Sequence, residues 1–293
     1  MKRGKWKAQT AMKLQNKSPE EIVRRYRRNV RLKQGLVILV LLAYMAFVMR
    51  DIWRNNTGFL TLLPKTLIVL LALTPVSFWI AWDFIALNAI LNVNCDPVTY
   101  VQVMHLLGQA RSSRRSAITI QINEAVGNMW TGRFSEALAL VKSLPELNAG
   151  DQLSALYIRF NCCMKLKDMG GALQARQETE TLISTTKKPS LQKRGEQLLD
   201  MMASSFALEQ EDYASFRHME ETGKHKSTVN IQQVTTAFHL AKADMAQGDV
   251  QSAKAHLEYV AKMGGTLYVT EEAKSLLAGL KENPHGSRRD QLQ

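Results

Sequence analysis

Residues 78–87 read FWIAWDFIAL, an aspartate set inside one of the most apolar runs of the chain. In the hydrocarbon core of a bilayer Asp83 would be costly and therefore functional, whereas at the rim it would be ordinary. Its depth separates a membrane machine from a module held on a membrane anchor. The run around it extends with little interruption from Thr66 to Val93, and an earlier run, GLVILVLLAYMAFVM, covers 35–49. A helix needs about 20 residues to cross a core of about 30 Å. Counting from Gly35 ends a first span near Trp53, a residue type enriched at interfaces. Counting from Pro64, a favourable first helical position, ends a second span at Asp83. Trp79 and Trp82 then form the aromatic belt, and Asp83 stands just outside the hydrocarbon. The expected unit is a helical hairpin with spans 35–53 and 64–83, joined by a short connection over 54–63 and followed by a connector to residue 93.

The charge of the chain is placed to suit that hairpin. Of the net +12, residues 1–34 hold +10, from twelve Lys/Arg against two Glu. Residues 94–293 are nearly neutral, with 23 Lys/Arg against 22 Asp/Glu. A nucleic-acid groove needs its positive charge on the folded domain, so no nucleic-acid partner is expected. A basic segment before the first span instead sets topology: both termini cytoplasmic and the short loop outside. A cleaved signal peptide fits poorly, because the basic region is long, no small-residue cleavage site follows and a second span comes after. Together these features suit an integral protein of a bacterial plasma membrane. Within 1–34, Ser18-Pro19-Glu20-Glu21 is a helix start of N-cap, N1 proline and N3 glutamate. The helix over 19–34 carries Arg24, Arg25, Arg27, Arg28, Arg31 and Lys33 between apolar residues, and is expected to lie along anionic headgroups.

From residue 94 to 282 there is almost no strand alternation; helical periods are broken by short turns. One form recurs. WTGRFSEALALVKSL (130–144), KLKDMGGALQARQETETL (165–182) and AQGDVQSAKAHLEYVAKM (246–263) each place a turn, an apolar residue and an alanine in order. EQEDYASFRHMEE (209–221) is a degenerate copy with Phe216 in the alanine place. The turns at 132, 167, 211 and 248 are 35, 44 and 37 residues apart, and the long interval contains STTKKPS (184–190). This stretch resembles the tetratricopeptide-repeat family, whose period is about 34 residues. The resemblance covers about 97–280 and implies an all-α, solenoid-like array of helix pairs, capped by a helix over 271–280. A non-repeat helical bundle is the alternative architecture. The tail 283–293 is expected to be disordered.

No chemistry is visible in the sequence. There is no phosphate-binding glycine loop, HExxH or GxSxG, and the six histidines are scattered. His239 and His256 are near enough in sequence to meet across one helix pair, but lack a third metal ligand. Cys162 and Cys163 point about 100° apart on a helix and have no basic neighbour to activate a thiol. No enzyme activity, metal or cofactor is therefore expected. What the resemblance implies instead is a concave groove lined by the first helix of each pair. Its residues are Trp130 in the first repeat, Tyr157, Asn161 and Lys165 in the second, and Phe238 and Lys242 in the fourth. Packing on neighbouring helices is the competing account of that stripe.

The expected function is a membrane-anchored cytoplasmic scaffold that binds a protein or peptide partner at the membrane surface. Homo-oligomerisation is left open. The alternative is a non-catalytic subunit of a transport or channel complex, with Asp83 in the pathway.

Overall fold

The structure, a computed structural model, describes Leu14 and residues 17–55, 59–110, 113–222 and 230–282. Among these residues it is all-helical, with twelve helices. The expected tail 283–293 lies outside them.

Helix α1 (Pro19–Asn55) starts at the predicted place, the Ser18 hydroxyl accepting from the Glu21 amide. It does not end at residue 34. The basic segment and the apolar run form one helix about 55 Å long at 1.5 Å per residue. Among the described residues this is the one helix long and apolar enough to cross a membrane. Helix α2 (Phe59–Asn92) begins before Pro64 and runs without a break past Asp83. The two are antiparallel: Lys33 bonds Asp83, and the Tyr44 hydroxyl lies 2.6 Å from that of Thr66. The apolar face of the basic end of α1 packs against the helical domain. Ile22 and Val23 are buried with Leu87, Ile90 and Leu91 of α2, in the main core of the helical domain.

That domain continues with α3 (Pro97–Gly108), α4 (Arg114–Trp130), α5 (Phe134–Lys142), α6 (Ala149–Lys165), α7 (Met169–Thr185) and α8 (Pro189–Glu209). It ends with α9 (Tyr213–Thr222), α10 (Asn230–Gln247), α11 (Val250–Met263) and α12 (Tyr268–Glu282). Four of its turns are built alike. Gly132, Lys167, Glu211 and Gly248 all hold left-handed backbone, with φ of 84, 61, 60 and 80°. After each, the next amide reaches back to the carbonyl of Asn128, Cys163, Ala207 or Asp244 at 2.8 to 2.9 Å. This bond closes a helix over a left-handed residue and satisfies a carbonyl that would otherwise be orphaned. Asp168, Asp212 and Asp249 then cap the following helix through the amides of Gly171, Ser215 and Ser252. Ala137, Ala172 and Ala253 are fully buried where the paired helices approach, and Phe216 is buried in the corresponding place.

A fifth, slightly wider left-handed corner lies 37 residues before Gly132, at Cys95, with φ of 52°. The Asp96 amide bonds the Ile90 carbonyl at 3.1 Å, and the Asp96 carboxylate caps α3 through Thr99. The end of α2 and α3 are thus the first helix pair of the domain.

The pairs do not form an open row. Helices α4, α6 and α8 lie side by side, but α10 packs on both α12 and α2. Asn230 donates to the Val93 carbonyl at 2.7 Å, and Thr266 donates to the Cys95 carbonyl at 2.9 Å and to Asp96. Gly265, at φ 54°, makes this approach possible: a Cβ there would sit 2.4 Å from the Cys95 carbonyl oxygen. The largest core therefore joins the first helices to the last ones. Smaller cores fill the gaps between successive pairs. Cys162 and Cys163 are buried in two different ones.

Candidate functional site

Tyr157, Asn161 and Lys165 follow at four-residue intervals on α6, so they share one face of that helix. Tyr157 and Lys165 approach a residue from the far end of the chain, Tyr268, the first residue of α12. The Lys165 ammonium lies 5.4 Å from the Tyr268 ring centroid. Phe134 meets the same ring edge-to-face, with centroids 5.3 Å apart. Trp130, one corner upstream, is half-buried between the main core and the core of α4 to α6. One turn further along α12, Glu272 faces Lys242 of α10 at 3.4 Å.

Burial governs the electrostatics here. It pushes the Tyr157 hydroxyl up to about 12, with Tyr268 adding to the effect. It also raises Tyr268, an effect that Glu272 reinforces. Burial lowers the Lys165 ammonium, against the pull of Glu272 and Glu209. His239 is pushed down to about 3 by burial and by the nearby charges of Lys165 and Lys242. Its imidazole is neutral at physiological pH. Lys165 is nonetheless exposed to water.

Of the residues expected in a groove, Tyr157, Lys165 and Lys242 are brought together, and Trp130 stands nearby. Asn161 donates to the Tyr157 carbonyl on its own helix at 2.8 Å. Phe238 is completely buried in the main core, so it packs instead of lining a groove. Its neighbour His239 takes the interior position. Tyr268 falls before the expected last helix, which starts at residue 271, and Glu272 lies within that helix with nothing in its local pattern to mark it for the site. The signal for both was less local: Gly264-Gly265 marks a turn, and Tyr268 and Glu272 have the i, i+4 spacing of one helical face.

His256 does not join His239. It bonds the buried Asp244 at 2.8 Å, and Arg217 holds the same carboxylate. Burial pushes Asp244 up, but hydrogen bonds from Arg217, His256 and Ser252 outweigh it and hold the group below its ordinary range. Among the described residues no group of three or more His, Cys, Asp or Glu is placed to hold a metal ion.

The basic residues of α1 divide. Arg24, Arg25, Arg28 and Arg31 are exposed, and Arg27 donates to the Leu106 carbonyl at 2.7 Å. Lys33 departs from the headgroup-facing role expected of it. It is 7% exposed, donates to Asp83 at 2.7 Å and to the Trp79 carbonyl at 2.9 Å, and stands 4.2 Å over the Trp79 ring. The reason is its place on the helix: about 100° per residue turns Lys33 to the side opposite Arg24 and Arg31, against α2.

No protein-family model matches the chain, and no match is found among curated proteins or solved structures.

Proposed function

We propose that the chain is a membrane-anchored interaction protein, with a helical domain held on the cytoplasmic side to bind a protein or peptide segment. The observation that carries the anchorage is the bare apolar surface of α1. Leu39, Leu42 and Met49 are 63 to 65% exposed, along with Ile38, Met45 and Phe47. In water a patch of that size is an aggregation liability; lipid covers it at no cost. The Lys33–Asp83 pair supports two spans of matched depth. From it to Trp53 along α1 is about 30 Å, and to Pro64 along α2 about 28 Å, each the thickness of a hydrocarbon core. The excess of Lys/Arg before α1 supports cytoplasmic termini.

Accessibility labelling tests this. The three native cysteines are buried, so background labelling is low. In intact cells an impermeant maleimide is expected to label Trp53→Cys but not Arg28→Cys, which reacts only after permeabilisation. The reverse pattern, or labelling of both, sinks the topology.

The interaction role is supported by the tetratricopeptide-like helix pairs and by an interior that offers aromatic rings beside charges of both signs. A peptide carrying an apolar side chain and a carboxylate complements Tyr157, Tyr268 and Lys165. A photo-crosslinker at position 161 in full-length, membrane-embedded protein is expected to capture a partner, and Tyr157→Ala with Lys165→Glu to abolish capture. Capture that survives both substitutions counts against the interior as the binding site. The transport alternative gains nothing from Asp83, whose charge is already neutralised by Lys33.

A further inference from the structure

On the side of α1 opposite Lys33, an open cleft of about 1130 Å³ lies between α1 and the end of α3. Arg24, Arg27, Arg28 and Arg31 line its upper part, and Leu32, Leu36 and Leu39 its lower part. The spacing i, i+3, i+4, i+7 puts the four arginines on one face. Glu20 stands at the upper rim. Arg27 is committed to the Leu106 carbonyl. Among the described residues, Arg24, Arg28 and Arg31 form no ion pair at contact distance; Glu20 on the rim and Glu21, whose carboxyl Arg24 helps to hold down, offset only part of the three guanidinium charges that face the cleft.

The stripe turns from cationic to apolar at Gly35. That glycine is in a helix interior, where the residue type is unfavourable. A Cβ built on it meets no atom within 4 Å, so no close packing of the protein calls for a glycine there. The space over it is open, at the level where the exposed apolar surface of α1 begins. A free anion would satisfy the arginines and leave the leucines bare. A ligand with an anionic head and an apolar tail covers both.

We propose that this cleft binds an anionic phospholipid of the cytoplasmic leaflet. Its phosphate sits among Arg24, Arg28 and Arg31, and an acyl chain passes Gly35 along Leu36 and Leu39. The site rests on the membrane anchorage proposed above.

The test uses the full chain in phosphatidylcholine nanodiscs carrying a trace of spin-labelled phosphatidylglycerol or spin-labelled phosphatidylcholine. The motionally restricted fraction is expected to be several-fold larger for the anionic label. Arg24→Gln/Arg28→Gln/Arg31→Gln should bring it down to the zwitterionic level. Gly35→Leu should lower it as well, since it fills the cleft without changing charge and meets no protein atom at its Cβ. Circular dichroism of both variants should match the wild type. Equal restriction of the two labels in wild type overturns the lipid site while leaving the anchorage intact. Full competition by water-soluble glycerophosphoglycerol also overturns it, in favour of a free-anion site. A chain that fails to co-purify with the nanodiscs overturns the anchorage, and the lipid site with it.

Discussion

A buried lysine and its partly buried counter-ion illustrate how much a single residue decides. Lys33 and Asp83 have side chains 8 and 20% exposed, and each is the other's counter-ion. Removing one partner of such a pair costs about 3–5 kcal/mol, because the remaining charge is stranded; replacing both with apolar groups is often neutral. Lys33→Met is therefore expected to lower the thermal midpoint in detergent, and Lys33→Met/Asp83→Leu to restore most of it. A single variant as stable as wild type would mean that the pair is unimportant. His239 gives a pH signature instead. Its folded-state value, about 3, lies below the ordinary 6.5, so the unfolded chain binds the additional proton between them. Stability then falls as pH drops below 6.5, by up to about 1.4 kcal/mol per unit. Urea unfolding at pH 7 and pH 5 should show this loss, and His239→Gln should flatten it. The window stays above the range in which Asp244 titrates. Neither role was legible in sequence. Lys33 is one of six basic residues in a row of similar ones, and only the rotation of α1 against α2 singles it out. Phe238 and His239 differ by about 100° of that rotation, enough to exchange a core position for an interior one.

At the scale of the element, the corners were the most legible feature. Gly132 and Gly248 mark a left-handed turn, and an aspartate after the turn residue marks the next cap in three of the four. At Cys95 the sequence Asn94-Cys95-Asp96-Pro97 marks a helix start, but without a glycine and after a run that reads as membrane connector it does not mark a corner of the series. Its left-handed residue and its aspartate cap are those of the other corners, although its closing bond reaches one residue further back. A left-handed residue other than glycine costs about 1–2 kcal/mol. Lys167→Gly and Glu211→Gly are thus each expected to raise stability by about 1 kcal/mol. The exposed Lys167–Glu209 pair lost in the first contributes little. Gly265→Ala should do the opposite, costing at least about 2 kcal/mol, since it adds strain and a clash with the Cys95 carbonyl. Chemical denaturation of the three variants checks both signs; a harmless Gly265→Ala would mean that α12 does not hold its place against α3.

At the scale of the molecule, the apolar pair and the helical domain are one piece. α1 contributes Ile22 and Val23, and α2 contributes Leu87, Ile90 and Leu91, to the core that α3, α10 and α12 also build. A boundary at 93/94 looks natural in sequence, where hydropathy and charge both change. It cuts through a helix pair. A fragment of residues 94–293 is expected to unfold at a lower temperature than 84–293, since fully burying each Leu or Ile is worth about 1.5–3 kcal/mol. It should also elute as aggregates. Equal melting curves by circular dichroism would show that α2 adds nothing to the domain. The return of α10 and α12 to α2 was beyond sequence reading, because it depends on small rotations accumulated over every intervening pair. It has an evolutionary consequence. An open array lengthens or shortens by duplicating a unit and keeping its caps. Here an inserted or deleted helix pair would carry Asn230 and Thr266 away from Val93 and Cys95 and tear the seam. The number of pairs in this chain is therefore fixed by closure, and descendants can diversify its side chains far more easily than its length.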